Sequence, residues 1–261
     1  MNYILNLLIL TILIATNGVH AQIKRLTSSP RHQEWIKIDK TNCFIVYPEI
    51  SEKATVVLLI HENRGLNDWA RSMADQLAEM GYIAIAPDLL SGKAPDGGST
   101  SDFANSDDAR NALYQLNPDT ITEQLEKVIG YSKSIPAANG KVVSLGFCWG
   151  GSQSFRLATN TNELEFAMVC YGTAPASEEE LKKITIPVYG FYGGNDNRVN
   201  ATLPETEKIM KKHGKVFEYE IYPDAGHGFI RSGEDENPEA RNKTAREKAI
   251  KRIITLLNTT Y

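Results

Sequence analysis

Apolar and polar positions along the chain change their period in a regular alternation, and each change predicts an element. Residues 54 to 60, Ala54-Thr55-Val56-Val57-Leu58-Leu59-Ile60, form a continuous apolar and β-branched run. Such a run is the pattern of a strand buried on both faces, which implies a parallel sheet covered by helices. Ahead of it, Trp35-Ile36-Lys37-Ile38-Asp39 alternates and Cys43-Phe44-Ile45-Val46-Tyr47 follows after a short turn, which predicts an antiparallel hairpin at a sheet edge. Trp69, Met73, Leu77 and Met80 then recur at helical spacing until Gly81 stops the helix. Further strands are expected at 82–86, 142–147, 165–172, 186–194 and 216–222, and further helices at 120–134, 152–158, 203–213 and 238–257. Residues 91–107, rich in Gly, Ser, Asp and Pro, read as a long loop, either a lid or an excursion over the carboxyl end of the sheet. Strand and helix alternate throughout, so the expected architecture is α/β: a mostly parallel sheet flanked by helices in three layers.

The first 21 residues stand apart from this pattern. An apolar run from Ile4 to Ala15 precedes a polar stretch and Val19-His20-Ala21-Gln22, which is the form of a secretory signal peptide cleaved after Ala21. The run is short for a membrane span and has no basic stop-transfer cluster behind it, so no stable membrane insertion is expected after cleavage. Residues 22–261 are then one domain, secreted or periplasmic. Composition agrees: 261 residues at 42% hydrophobic suit a single substantial core, and a net charge of -4 argues against a nucleic-acid partner. Export puts three cysteines in an oxidising space, yet Cys43 and Cys170 fall in different predicted strands and no structural disulfide is expected. Asn200, Asn242 and Asn258 begin Asn-x-Thr sequons. The five histidines lack ligand spacing, so neither a metal nor another cofactor is expected.

Chemistry concentrates at Val142-Val143-Ser144-Leu145-Gly146-Phe147-Cys148-Trp149-Gly150-Gly151. The predicted strand ends in Gly-x-Cys-x-Gly and passes at once into a helix, which puts a thiol on a sharp turn at a helix N-terminus. Backbone N–H groups and the helix dipole there favour a thiolate. Asp196 lies just past the next-but-one predicted strand, and His227 just past the last. Nucleophile, acid and histidine in that order are the α/β-hydrolase order. Each alone has a duller reading: a buried cysteine, a turn aspartate, a surface histidine. Together at strand ends they form a nucleophile, a base and the carboxylate that orients the base.

On Gly146-Phe147-Cys148-Trp149-Gly150-Gly151, Gly194-Asn195-Asp196, Gly226-His227-Gly228-Phe229 and His61-Glu62, the chain resembles the dienelactone hydrolases over roughly residues 35 to 258. That resemblance implies an α/β-hydrolase fold and hydrolysis of an enol lactone through an acyl-thioester on Cys148. It also implies a glutamate that contacts the resting thiol, matched by Glu62, and arginines for the substrate carboxylate, one matched by Arg231. A second arginine has no secure match, Arg110 being the only one between Arg71 and Arg156. A carboxyl such as Glu62 in a partly dry pocket can stay protonated beside a thiol and become a base when a substrate anion rearranges its contacts. The duller reading pairs Glu62 with Arg64, and Arg231 with Glu234 or Glu236. Backbone N–H groups of Asn63 and Trp149 are the expected oxyanion hole, and Tyr171 a further substrate contact. The expected activity is hydrolysis of small lactones or esters by a monomer whose only partner is the small-molecule substrate. Competing readings are a broader acyl esterase, a non-catalytic envelope binding protein on the same fold, and a redox thiol protein.

Overall fold

The computed structural model describes residues 22–260, so the expected signal peptide lies outside the described residues. Residues 22–28 are helical (α1), and β1 (Gln33–Ile38) with β2 (Thr41–Val46) forms the expected hairpin, turned by Asp39 at φ +52°. The chain continues through β3 (Ala54–Ile60), α2 (Asp68–Glu79), β4 (Ile83–Pro87), α3 (Ser106–Tyr114) and α4 (Pro118–Ser134). Then come β5 (Ala138–Phe147), α5 (Trp149–Ala158), β6 (Ala167–Cys170), α6 (Glu178–Leu181) and β7 (Val188–Gly193). It closes with α7 (Asn197–Asn200), α8 (Leu203–Lys212), β8 (Phe217–Tyr222), α9 (Phe229–Ser232) and α10 (Ala240–Leu257). One eight-stranded sheet results, in the order β1-β2-β4-β3-β5-β6-β7-β8. The β1–β2 and β2–β4 pairs are antiparallel and the rest parallel.

Burial follows the pleat. On β3, Val56, Leu58 and Ile60 enter one core with Leu125 and Ile129 of α4, while Val57 and Leu59 enter the other with Met73 of α2 and Ile253 of α10. Both faces of the strand are therefore dry, which is why the run needs no polar alternation. Each fully buried Val, Leu or Ile contributes about 1.5–3 kcal/mol relative to exposure, so the two cores hold the three layers together. Helix ends match their sequence signals: Asn67 accepts from the Ala70 N–H at the start of α2, and Asn117 with Pro118 opens α4.

The stretch expected as a loop at 91–107 crosses the sheet's carboxyl end through two short 3-10 turns, and its last two residues already belong to α3. The buried Asp88 at the end of β4 pins it, accepting from the Leu90 N–H at 3.0 Å, the Thr100 N–H at 2.9 Å and the Thr100 hydroxyl at 2.7 Å. Cys43 on β2 and Cys170 on β6 are buried free thiols. The sequon asparagines are all engaged: Asn200 donates to the Gly193 carbonyl, Asn242 accepts from the Gly226 N–H and Asn258 accepts from the Tyr82 hydroxyl.

Candidate active site

Cys148 sits between β5 and α5 with φ +55° and ψ −115°, a region that costs an L-residue about 1–3 kcal/mol and persists only when its surroundings enforce it. The glycines around it do so by letting backbones meet. A Cβ on Gly146 would collide with the Gly150 carbonyl, and one on Gly150 with the carbonyls of Ile60 and His61. The Cys148 N–H donates to the Cys170 carbonyl at 3.0 Å, which fixes the turn over the end of the sheet.

Two later strand ends bring the partners. Asp196 follows β7, is 6% exposed and caps α7, and its Oδ2 meets His227 Nδ1 at 2.5 Å. His227 Nε2 lies 3.1 Å from Cys148 Sγ. The histidine loop is held from both sides: the Asn195 side chain donates to the Asp224 carbonyl at 2.9 Å, and Asn242 takes the Gly226 N–H at 3.0 Å. A thiol, an imidazole and a carboxylate thus stand in one line of hydrogen bonds, the geometry that passes a proton from sulfur to nitrogen.

Glu62, 9% exposed at the end of β3, is oriented differently from expectation. Its Oε2 accepts from Arg231 Nε at 2.8 Å and its Oε1 from the Tyr171 hydroxyl at 3.3 Å, so its hydrogen bonds go to these two groups while the thiol approaches His227. Arg231, on α9, is accordingly tied to Glu62 and to neither Glu234 nor Glu236; Glu234 pairs instead with Arg246. Arg64 is exposed, apart from this pair.

The thiol also departs from expectation. Burial pushes the Cys148 pKa up, the Glu62 charge adds to the rise, and the opposing Trp149 N–H, Arg198 and Arg231 do not offset them. Burial, the largest of these causes, acts against the thiolate that a helix N-terminus would favour. Tyr171, expected as a substrate contact, is 1% exposed with φ +44°. Its ring packs edge-on against His227 at 5.1 Å, and burial holds its phenol well above the usual range, protonated and able to donate to Glu62. It supports the site from behind.

Trp149 is the first residue of α5 and its N–H opposes the rise of the Cys148 pKa, while Asn63 lies three residues past the end of β3. The Asn63 N–H has no backbone or side-chain acceptor among the described residues. Arg110 is on α3, paired with Asp107 at 3.7 Å, and does not supply a second guanidinium beside the thiol. Arg198, absent from the sequence reading, is one whose charge reaches Cys148; its position two residues after Asp196 was the available signal. No group of three or more His, Cys, Asp or Glu side chains among the described residues could hold a metal, and no described helix is long and apolar enough to cross a membrane.

A mostly parallel sheet with a strained strand-to-helix elbow, followed in chain order by a carboxylate and a histidine, defines an α/β-hydrolase. The family model of the dienelactone hydrolases matches residues 42–261, and the chain belongs to that family of carboxylic ester hydrolases. A relative from Saccharolobus solfataricus, provisionally named a carboxymethylenebutenolidase, is 31% identical over 84% of this chain and 93% of its own length. The carboxymethylenebutenolidase of Pseudomonas putida is 30% identical over 69% of this chain and 76% of its own. Among solved structures, a protein of Klebsiella pneumoniae provisionally named a dienelactone hydrolase superposes with a TM-score of 0.72 at 18% identity, covering 84% of this chain and 97% of that one.

Proposed function

We propose that the protein hydrolyses small lactones or carboxylic esters through Cys148, His227 and Asp196, by way of an acyl-thioester. The observation that carries this reading is the continuous line from Cys148 Sγ to His227 at 3.1 Å and from His227 to Asp196 at 2.5 Å, on a strained elbow. His227 takes the thiol proton while the sulfur attacks the substrate carbonyl carbon, and Asp196 stabilises the imidazolium. The carbonyl electrons move to oxygen, where the N–H groups of Asn63 and Trp149 receive the charge. Collapse expels the alkoxide or enolate, which takes the proton from His227; in a lactone it stays tethered to the acyl group. Water, deprotonated by His227, then attacks the thioester, and the thiolate leaves and recovers its proton.

Glu62 and Arg231 tune substrate choice in this scheme. A substrate carboxylate competes with Glu62 for the Arg231 guanidinium, and a displaced Glu62 becomes an additional base beside the thiol. The present engagement of Arg231 also favours a second reading, a broader esterase for uncharged esters. A panel of neutral and carboxylated esters and lactones, measured with and without a thiol alkylator, tests both. Alkylator-sensitive turnover supports the hydrolase; undiminished turnover after complete alkylation of Cys148 contradicts it; no turnover of any ester points to a binding protein.

The apolar run at 4–15 and the small residues before Gln22 support export, with the mature chain acting as a monomer outside the cytoplasm. Mass spectrometry of the native protein should find Gln22 at its N-terminus. Recovery of the uncleaved chain from the cytoplasm would contradict this.

A further inference from the structure

His61 is fully buried, and the chemistry above does not use it. Its ring is nevertheless fixed on three sides. Nε2 lies 3.3 Å from the Leu89 N–H, which can only donate, so Nε2 is the bare acceptor nitrogen. Nδ1 lies 2.7 Å from the Glu62 carbonyl, which can only accept, so Nδ1 carries the proton. Burial lowers the pKa of the ring against the opposing charge of Asp88, consistent with this neutral tautomer. The ring face stacks on Trp149 at 5.7 Å and 14°.

The Glu62 carbonyl and the Asn63 N–H belong to one peptide unit. In a trans peptide they point in opposite directions, and the unit is rigid, so a hydrogen bond that holds the carbonyl also aims the N–H. The adjoining backbone already touches the elbow, since Gly150 packs against the carbonyls of Ile60 and His61. His61 therefore engages both donors of the proposed oxyanion hole: one through the shared peptide of Asn63, the other through the indole of Trp149.

We propose that His61 is a positioning residue for the oxyanion hole, holding the Glu62–Asn63 peptide so that the Asn63 N–H faces the substrate oxygen. The inference rests on the reading of Cys148 as the acylated nucleophile. Its logic is that of a preorganised donor: the bond to the carbonyl fixes the N–H before charge develops, so no reorganisation is needed during reaction.

Asparagine and glutamine separate this role from packing. The asparagine amide reaches the place of Nδ1 and can donate to the Glu62 carbonyl; the glutamine amide reaches the place of Nε2 and leaves that carbonyl without its donor. The experiment measures two rates at Cys148 in the whole protein carrying His61→Asn, His61→Gln or His61→Leu. One is acylation by nitrophenyl acetate in a single turnover, which builds an oxyanion. The other is alkylation by iodoacetamide, which builds none. Complete loss of one oxyanion donor costs about 10²–10³-fold, so a misdirected donor should slow acylation about 10- to 100-fold in His61→Gln and His61→Leu. His61→Asn should stay near the parent, and alkylation should be unchanged in all three. Equal acylation in the Asn and Gln variants, or acylation and alkylation falling in parallel, overturns the proposal, and this contrast stands even when His61→Leu does not fold. A parent enzyme that is alkylated but never acylated at Cys148 refutes the nucleophile reading itself, and the inference with it.

Discussion

Arg231 Nε donates to Glu62 Oε2 at 2.8 Å, across 169 residues of sequence, and so ties the acid whose charge raises the Cys148 pKa to the cation expected to select the substrate. Neither group can change its partner without releasing the other. In the proposed mechanism the pair would link substrate charge to thiol ionisation.

Removing the Glu62 charge should make the thiol easier to ionise. Burial is the largest cause of the raised Cys148 pKa and Glu62 the next, while Arg231 acts in the opposite direction. In Glu62→Gln the Glu62 contribution disappears and the opposing contributions of the Trp149 N–H, Arg198 and Arg231 remain. The rate of iodoacetamide alkylation against pH should therefore move to lower pH than in the parent. A profile that stays in place would leave Glu62 with no electrostatic part at the thiol.

Arg231→Ala should change selectivity more than catalysis. A hydrogen bond to a charged group is worth roughly 1.5–3 kcal/mol, about ten- to a hundredfold in kcat/KM. The ratio of kcat/KM for a carboxylated lactone to that for its methyl ester should fall by that factor, with Arg231→Lys between variant and parent because a lysine lacks the planar fork. An unchanged ratio would assign the protein to neutral esters.

Asp196 and His227 should behave as one unit. Either Asp196→Asn or His227→Ala should cost on the order of a hundredfold or more in kcat, and the double variant should be little worse than the poorer single one. Strictly additive losses would mean that the 2.5 Å contact does not couple their roles.

Gly150→Ala should destabilise the elbow. The added Cβ meets the backbone carbonyls of Ile60 and His61, which cannot swing aside as a side chain can. Overpacking of this kind costs about 1–3 kcal/mol, read as a lower Tm alongside slower ester turnover. A variant with the parent's Tm would show that the strand and helix are not packed this closely.

The sheet was legible because its strands are uninterrupted: the run at 54–60 and the one before Cys148 have no competing helical period, and both are buried strands in the structure. The elbow and the strand ends of Asp196 and His227 were legible for the same reason. Helix α3 was hidden because only Ala109 and Leu113 of its nine residues are buried, too few to set a period. Helices α6, α7 and α9, each of four residues, are too short to have one. Site chemistry was less readable where it depends on distance in sequence. Local reasoning weighed Arg64 as the partner of Glu62, two positions away, whereas the strand order brings α9 over the sheet from the far end of the chain. Desolvation of Cys148 is a property of the surrounding layers, and the helix terminus alone gave the opposite sign.

The central claim is that Cys148 becomes acylated. Mixing the enzyme with a slowly hydrolysed nitrophenyl ester, quenching in acid within a turnover and measuring the intact mass tests it directly. The expected result is a mass increase of one acyl group, located by peptide mapping at Cys148, removed by hydroxylamine and missing from Cys148→Ala, with Cys148→Ser much slower because a hydroxyl is harder to ionise than a thiol. Full turnover by Cys148→Ala, or an acyl group found on another side chain, would contradict the account.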